Sequence, residues 1–155
     1  MGLKRGLLPL LIPLTFFAGG PQTQSTPPPN PDVALAPFAV VKDSGGTLRS
    51  VADACLERLA AGLAAKGIGV VRRPSLDEKT LSRGRPARWA VLGQLSRDKG
   101  QIRAELRLME ISSGDEMRSY FNDSADPQAI VALGGGAADR IALFVQEKRQ
   151  PGSSR

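Results

Sequence analysis

Acidic side chains come closest to a catalytic pattern in this sequence. Asp53 and Glu57 stand four residues apart, so on a helix they share one face. Two carboxylates can divide acid and base roles only when their environments differ, and the surrounding apolar stripe predicts that this face is simply solvated. Asp115 and Glu116 fall in a predicted turn, where short acids are favoured for backbone reasons. The sequence therefore predicts no catalytic pair and no enzyme.

Histidine and cysteine usage supports that prediction. The 155 residues contain no histidine, the side chain most used for proton transfer near neutral pH and for binding zinc or iron. The single cysteine, Cys55, falls on the apolar stripe of a predicted helix, so we expect a buried and unreactive thiol. No window of the sequence has the spacing of a calcium loop. We expect no metal and no cofactor.

Arginines supply one candidate site for anions. The net charge of +6 comes from 21 basic and 15 acidic residues, an excess too small to indicate nucleic acid by itself. The candidate anion-binding residues within the segment 72–88 are Arg72, Arg73, Arg83, Arg85 and Arg88. The segment lacks interleaved aromatic residues that would stack on bases, which favours a solvated basic loop over a nucleic-acid site. An anionic membrane or cell-wall surface is the alternative ligand.

Residues 87–121 read as a scaffold of three antiparallel strands. Apolar residues alternate with polar ones from Gln101 to Met109, the pattern of a half-buried strand, and turn signals lie on both sides of it. Such a meander buries one face and offers the other for contact. We expect a partner surface either on that exposed face, with Arg103, Arg107 and Arg118, or at an edge strand over 33–41.

The remaining pattern predicts one α/β (α+β) domain over 33–148, with two or three layers and a mixed sheet of about five strands. A strand over 33–41 is disturbed by Pro37, and a helix over 48–66 crosses to a short parallel strand over 68–71. A short helix over 75–81 and a final helix over 127–148 complete the domain. The glycines at 134–136 fall inside that final helix, so we expect it to pack closely on the sheet. Residues 149–155 form a polar tail.

The amino terminus predicts export. Lys4 and Arg5 precede an apolar run over 7–18, the layout of a secretory signal peptide over 1–20, and the run is too short to span a bilayer as a helix. Cleavage near residue 20, cleavage after Ser25 and no cleavage all stay open, and an uncleaved segment would contact a membrane. Residues 21–32 are rich in proline and form a linker.

The order of these elements resembles the amino-terminal domain of TolB and the related FlgO-like, CsgG-like and LpoB-like bacterial envelope proteins. The residues that carry the resemblance are 33–38, 54–63, 67–71, 87–93 and 102–114. The resemblance covers about Asp32 to Glu147, brings no catalytic residues, and implies binding to envelope proteins. We therefore expect an exported, non-catalytic module for protein interaction or assembly in the periplasm or envelope. The alternative is a basic protein that binds an anionic polymer or nucleic acid through 72–88.

Overall fold

The computed structural model describes residues 30–43, 46–75 and 87–150. Its elements are strands β1 (Val33–Leu35), β2 (Ala39–Val41), β3 (Val70–Arg72), β4 (Trp89–Asp98), β5 (Gln101–Glu110) and β6 (Glu116–Ser124), with helices α1 (Thr47–Ala65) and α2 (Pro127–Arg149). Several predictions lie outside the described residues: the signal segment, the linker up to residue 29, the short helix beyond Ser75, and the tail beyond Gln150.

The strands form one mixed sheet in the order β3-β1-β4-β5-β6, and β2 pairs with β4 beyond the end of β1. β1 runs parallel to both β3 and β4, whereas β4, β5 and β6 form an antiparallel meander. The predicted mixed sheet, meander and crossover through the first helix are confirmed. The sheet has six strands instead of about five because the predicted strand over 33–41 is two strands.

Pro37 divides that strand, and Phe38 closes the gap. The ring of Phe38 is 1% exposed and lies directly on Gly93 of β4, where an added Cβ would stand 2.2 Å from Phe38 Cδ1. β2 then pairs in parallel with β4. The prediction of an edge strand over 33–41 is wrong for β1, which lies inside the sheet between β3 and β4. Only β2 lies at an edge there.

Both helices cover the same face of the sheet, so the described residues form two layers. α1 contacts β2, β3 and β4, whereas α2 contacts β5 and β6. The covered face carries the alternating buried residues that the sequence predicted on β5, from Ile102 to Leu108. Phe144 of α2 meets Trp89 of β4 edge to face, with ring centroids 6.0 Å apart. The core lies between this face and the helix pair.

Glycines bring the two helices unusually close together. A Cβ on Gly134 of α2 would stand 2.3 Å from the backbone oxygen of Cys55, and a Cβ on Gly62 of α1 would stand 2.6 Å from Ala138 Cβ. α2 does pack on the sheet, against β5 and β6, as expected. The glycine contact itself lies elsewhere, because Gly134 packs on the backbone of α1. Gly136 has a different role, since a Cβ there would meet nothing within 4 Å.

Asp32 joins the two ends of the domain. Its carboxylate accepts a hydrogen bond from the Gly69 amide at 2.8 Å. It also forms an ion pair with Arg149, whose Nε and one terminal nitrogen each donate to one carboxylate oxygen. The start of β1, the turn before β3 and the last residue of α2 are thereby held at one point. α2 ends at Arg149, one residue beyond the predicted end.

The two glycines of α2 should respond oppositely to alanine. Gly134→Ala forces a methyl group into the backbone of α1, so the free energy of unfolding should fall by about 1–3 kcal/mol. Gly136→Ala adds helix propensity in open space and should raise it by about 1 kcal/mol. Urea denaturation followed by circular dichroism measures both changes. Equal effects of the two substitutions would contradict the close helix contact.

Candidate functional site

The face of the sheet turned away from the helices, called here the open face, is the broadest candidate surface. The strand register places on it the side chains of Leu92, Gln94, Arg103, Glu105, Arg107, Met109, Ser119, Phe121 and Asp123. Leu92 and Met109 are half-buried, and Phe121 is 76% exposed. The open face thus combines apolar patches, one prominent ring and charged groups.

The charges of the open face neutralise one another. Arg103 holds Asp123 with two parallel hydrogen bonds of 2.9 Å, and the Arg107 guanidinium lies 3.6 Å from the Glu105 carboxylate. The hydrogen bonds from Arg103 lower the pKa of Asp123, and Asp123 in turn raises the pKa of Arg103. All four groups are substantially exposed, so these pairs add little stability. The result is a surface of alternating charge with no strong net sign.

Arg118 does not belong to the open face. Its register partner in β5 is Leu108, which points into the core, and its guanidinium lies over the ring of Phe144 at 5.2 Å from the centroid. The shift in register between Leu108 and Met109 separates Arg118 from the open-face residues near it. The expectation that Arg103, Arg107 and Arg118 share one face is wrong, whereas Arg103 and Arg107 do share it.

The described arginines of the basic segment are not clustered. Arg72 lies at the carboxyl end of β3 and pairs with Glu57 at 2.9 Å, whereas Arg88 precedes the amino end of β4 and pairs with Glu110 at 3.2 Å. The register separates them by roughly 10 Å along the strands and about 10 Å across. Arg73 follows Arg72, and its amide donates to the Leu35 carbonyl at 2.8 Å.

Arg83 and Arg85 lie outside the described residues. Anion binding by the basic segment therefore stays a prediction, because its central members are not described. Of its described members, Arg72 and Arg88 each pair with a carboxylate of the same chain.

No reactive constellation forms within residues 30–43, 46–75 and 87–150. Asp53 pairs with Arg49 at 3.6 Å and Glu57 with Arg72, both at the surface. These ranges contain no group of three metal-ligating side chains. Cys55 is fully buried, and burial raises the pKa of its thiol to about 11, an effect opposed in part by a hydrogen bond from the Gly134 backbone. A thiol in that state is a poor nucleophile.

Sequence reasoning missed a groove between β6 and α2. It has a volume of 320 Å³, and Ser119, Tyr120, Phe121, Leu133, Gly136, Ala137 and Arg140 line it. Tyr120 and Phe121 are consecutive in a strand, so their rings must point to opposite faces. Tyr120 points to the covered face and is 8% exposed, which leaves Phe121 outside. That alternation was a readable signal of an exposed aromatic ring.

Solved structures share this fold at low sequence identity. A PelC dodecamer variant from Paraburkholderia phytofirmans matches with TM-score 0.51 and 16% identity, over 69% of this chain and 85% of that one. Protein XCC0632 of Xanthomonas campestris, of family DUF330, matches with TM-score 0.51 and 11% identity, over 79% and 92%. TolB of Acinetobacter baumannii matches at TM-score 0.46 and 14% identity, over 74% of this chain and 28% of its own.

The resemblance predicted from the sequence is confirmed for the fold, and these likenesses show the fold alone. No family model matches the sequence, and no curated protein matches it either.

Burial of Cys55 predicts a specific pH dependence. The folded state keeps the thiol protonated up to about pH 11, whereas the unfolded chain ionises near pH 9. The contribution of the protonated thiol to the free energy of unfolding is therefore fully present below pH 9. It is lost as pH rises toward 11, by at most roughly 1.4 kcal/mol per pH unit. Urea denaturation of the native chain and of Cys55→Ala at pH 8 and pH 10 isolates the contribution of the thiol. All other titrating groups are the same in the two chains, so their effects cancel in the difference.

The native chain should lose more stability than Cys55→Ala between these two pH values. A thiol reagent at pH 8 should also label the native chain only after urea unfolds it. Rapid labelling of the folded protein, or an equal loss in both chains, would contradict the buried thiol.

Proposed function

We propose that this chain is an exported envelope module that works by non-catalytic contact with other proteins. The charge-then-apolar order at Lys4, Arg5 and residues 7–18 supports export, and the proline-rich stretch at 21–32 would hold the domain away from its point of attachment. The resemblance in fold and element order to bacterial envelope proteins agrees with that location.

The open face is the observation that carries the proposal. It combines half-buried Leu92 and Met109, exposed Phe121 and two ion pairs that leave little net charge. Protein interfaces combine apolar and aromatic residues with arginine in this way. A polyanion would instead be attracted by a surface of uniform positive charge, which the open face is not.

The fold offers a precedent for assembly. PelC, whose solved structure shares this fold, is described as a dodecamer. The same two-layer arrangement can therefore take part in a multi-subunit assembly through its surfaces. For the present chain we propose an assembly with envelope proteins, in which the open face makes the contact.

Two arginines of the open face provide a direct test. The variant Arg103→Gln with Arg107→Gln removes both cations without adding repulsion, so capture of the partner should fall by about tenfold or more. Crosslinking in the native host, followed by fractionation and mass spectrometry of a tagged full-length chain, measures capture and location together. The melting temperature should be unchanged, since both ion pairs are exposed.

A matched control carries the same loss of two charges on the helix side. Arg58→Gln with Lys148→Gln changes two exposed cations away from the open face, and capture should persist. Recovery in the envelope with specific proteins supports the proposal. Recovery in the cytoplasm with nucleic acid, with binding that weakens steeply as salt rises, would overturn it in favour of the basic segment.

A further inference from the structure

β6 ends the sheet with a long unpaired edge. Over the described ranges it pairs only with β5, so the backbone groups along its other side have no strand partner. Its 9 residues contain no proline or lysine, and the bulge at Met117 lies at its amino end, so Arg118 to Ser124 stay regular and are long enough for a strand pairing. Phe121, at 76% exposure, stands near the middle of the edge. Such an edge is a template for an added strand.

Charged groups beside this edge lack ion-pair partners in the described part of the chain. The Arg118 guanidinium donates a hydrogen bond to the carbonyl oxygen of its neighbour Met117 at 2.7 Å and lies over the ring of Phe144. Arg140 lines the adjoining groove. The Asp126 carboxylate accepts from the Gln128 amide at 2.9 Å as the cap of α2, and forms no ion pair within the described ranges. Two cations and one acid are thus available at the same side of the molecule.

We propose that two copies of this chain pair antiparallel through β6, with Phe121 opposite Phe121 of the second copy. The two-fold axis runs perpendicular to the sheet, so both helix layers stay on one side and the two open faces become continuous. Directly opposed residues of an antiparallel pair share a face, which this register satisfies. The two Phe121 rings then form a cross-strand aromatic pair, which covers the ring that a single copy exposes.

The charges agree with a second copy as the occupant. In this register Arg118 stands opposite Ser124 of the second copy, one short step from its Asp126, within reach of a long side chain. Ser119 stands opposite Asp123, so no like charges are directly opposed. Because of the shift in register, Glu116 lies opposite Met109 and therefore on the open face. It thus points away from Asp126 of the second copy. Because of the two-fold symmetry, the dimer contains two copies of this contact between Arg118 and Asp126.

This inference does not rest on the proposed envelope partner. Self-association concerns the edge of β6, whereas partner capture concerns Arg103 and Arg107 on the open face. Both surfaces include Phe121, so the charge variants at Arg118 and Asp126 separate them: neither residue belongs to the open face, and these variants should weaken self-association while leaving partner capture unchanged.

A cysteine at the two-fold position tests the register. Opposed residues in an antiparallel pair lie about 4.5–5.5 Å apart at Cα, a separation that a disulfide accommodates. The full chain with Phe121→Cys should crosslink to itself rapidly under mild oxidation, whereas Val41→Cys, also exposed on the sheet, should not. Cys55 is buried and does not interfere. Equal crosslinking of the two variants, as random collision gives, would overturn the proposal.

Charge exchange tests the contact without a crosslink. Sedimentation equilibrium of the full chain should show a dimer, and Arg118→Glu should raise its dissociation constant about tenfold or more. Adding Asp126→Lys to Arg118→Glu restores opposite charges across the axis and should recover much of the affinity, with folding of each variant checked by circular dichroism. The proposal would be overturned if the native chain stays monomeric across the concentration range. It would also be overturned if Arg118→Glu leaves the dissociation constant of the dimer unchanged.

Discussion

The close contact between α1 and α2 is the constraint on which the rest of the structure depends. Gly134 lies against the backbone of Cys55, and Gly62 lies against the methyl group of Ala138, so at most one methyl group separates the helices at these points. The pair is narrow enough to lie side by side on one face of the sheet. Both helices pack on that face, and neither described helix covers the other face. The open face is therefore a consequence of how the helices pack.

Within the described residues, the open face and the edge of β6 are the places where we propose that this chain acts. Arg103 and Arg107 are steered by neighbouring acids into fixed positions, and Phe121 is presented where sheet face and edge meet. Cys55 has the most reactive side chain by type, but it is buried between the packed elements, where its thiol stays protonated. Under the two proposals, such a module binds a partner through Arg103 and Arg107 and pairs with itself through β6, and the two surfaces meet at Phe121.

Local patterns were enough to predict the elements, but not the close contacts between them. The alternation on β5 and the amino-terminal cap of α2 gave β5 and the final helix to within one residue at each end. The division at Pro37 depends on Phe38 meeting Gly93, and the role of Gly134 depends on α1, both contacts between distant parts of the sequence. The position of Arg118 depends on a shift in register at Leu108 and Met109, which no periodic pattern reports.

The central claim, that the open face contacts an envelope protein, is tested most directly by a photocrosslinking residue in living cells. Gln94 lies exposed on that face, and Asp53 lies exposed on the outer side of α1. The account predicts that the probe at position 94 captures a specific envelope protein and that the probe at 53 does not. Capture of the same protein from both positions, or from position 53 alone, would contradict it.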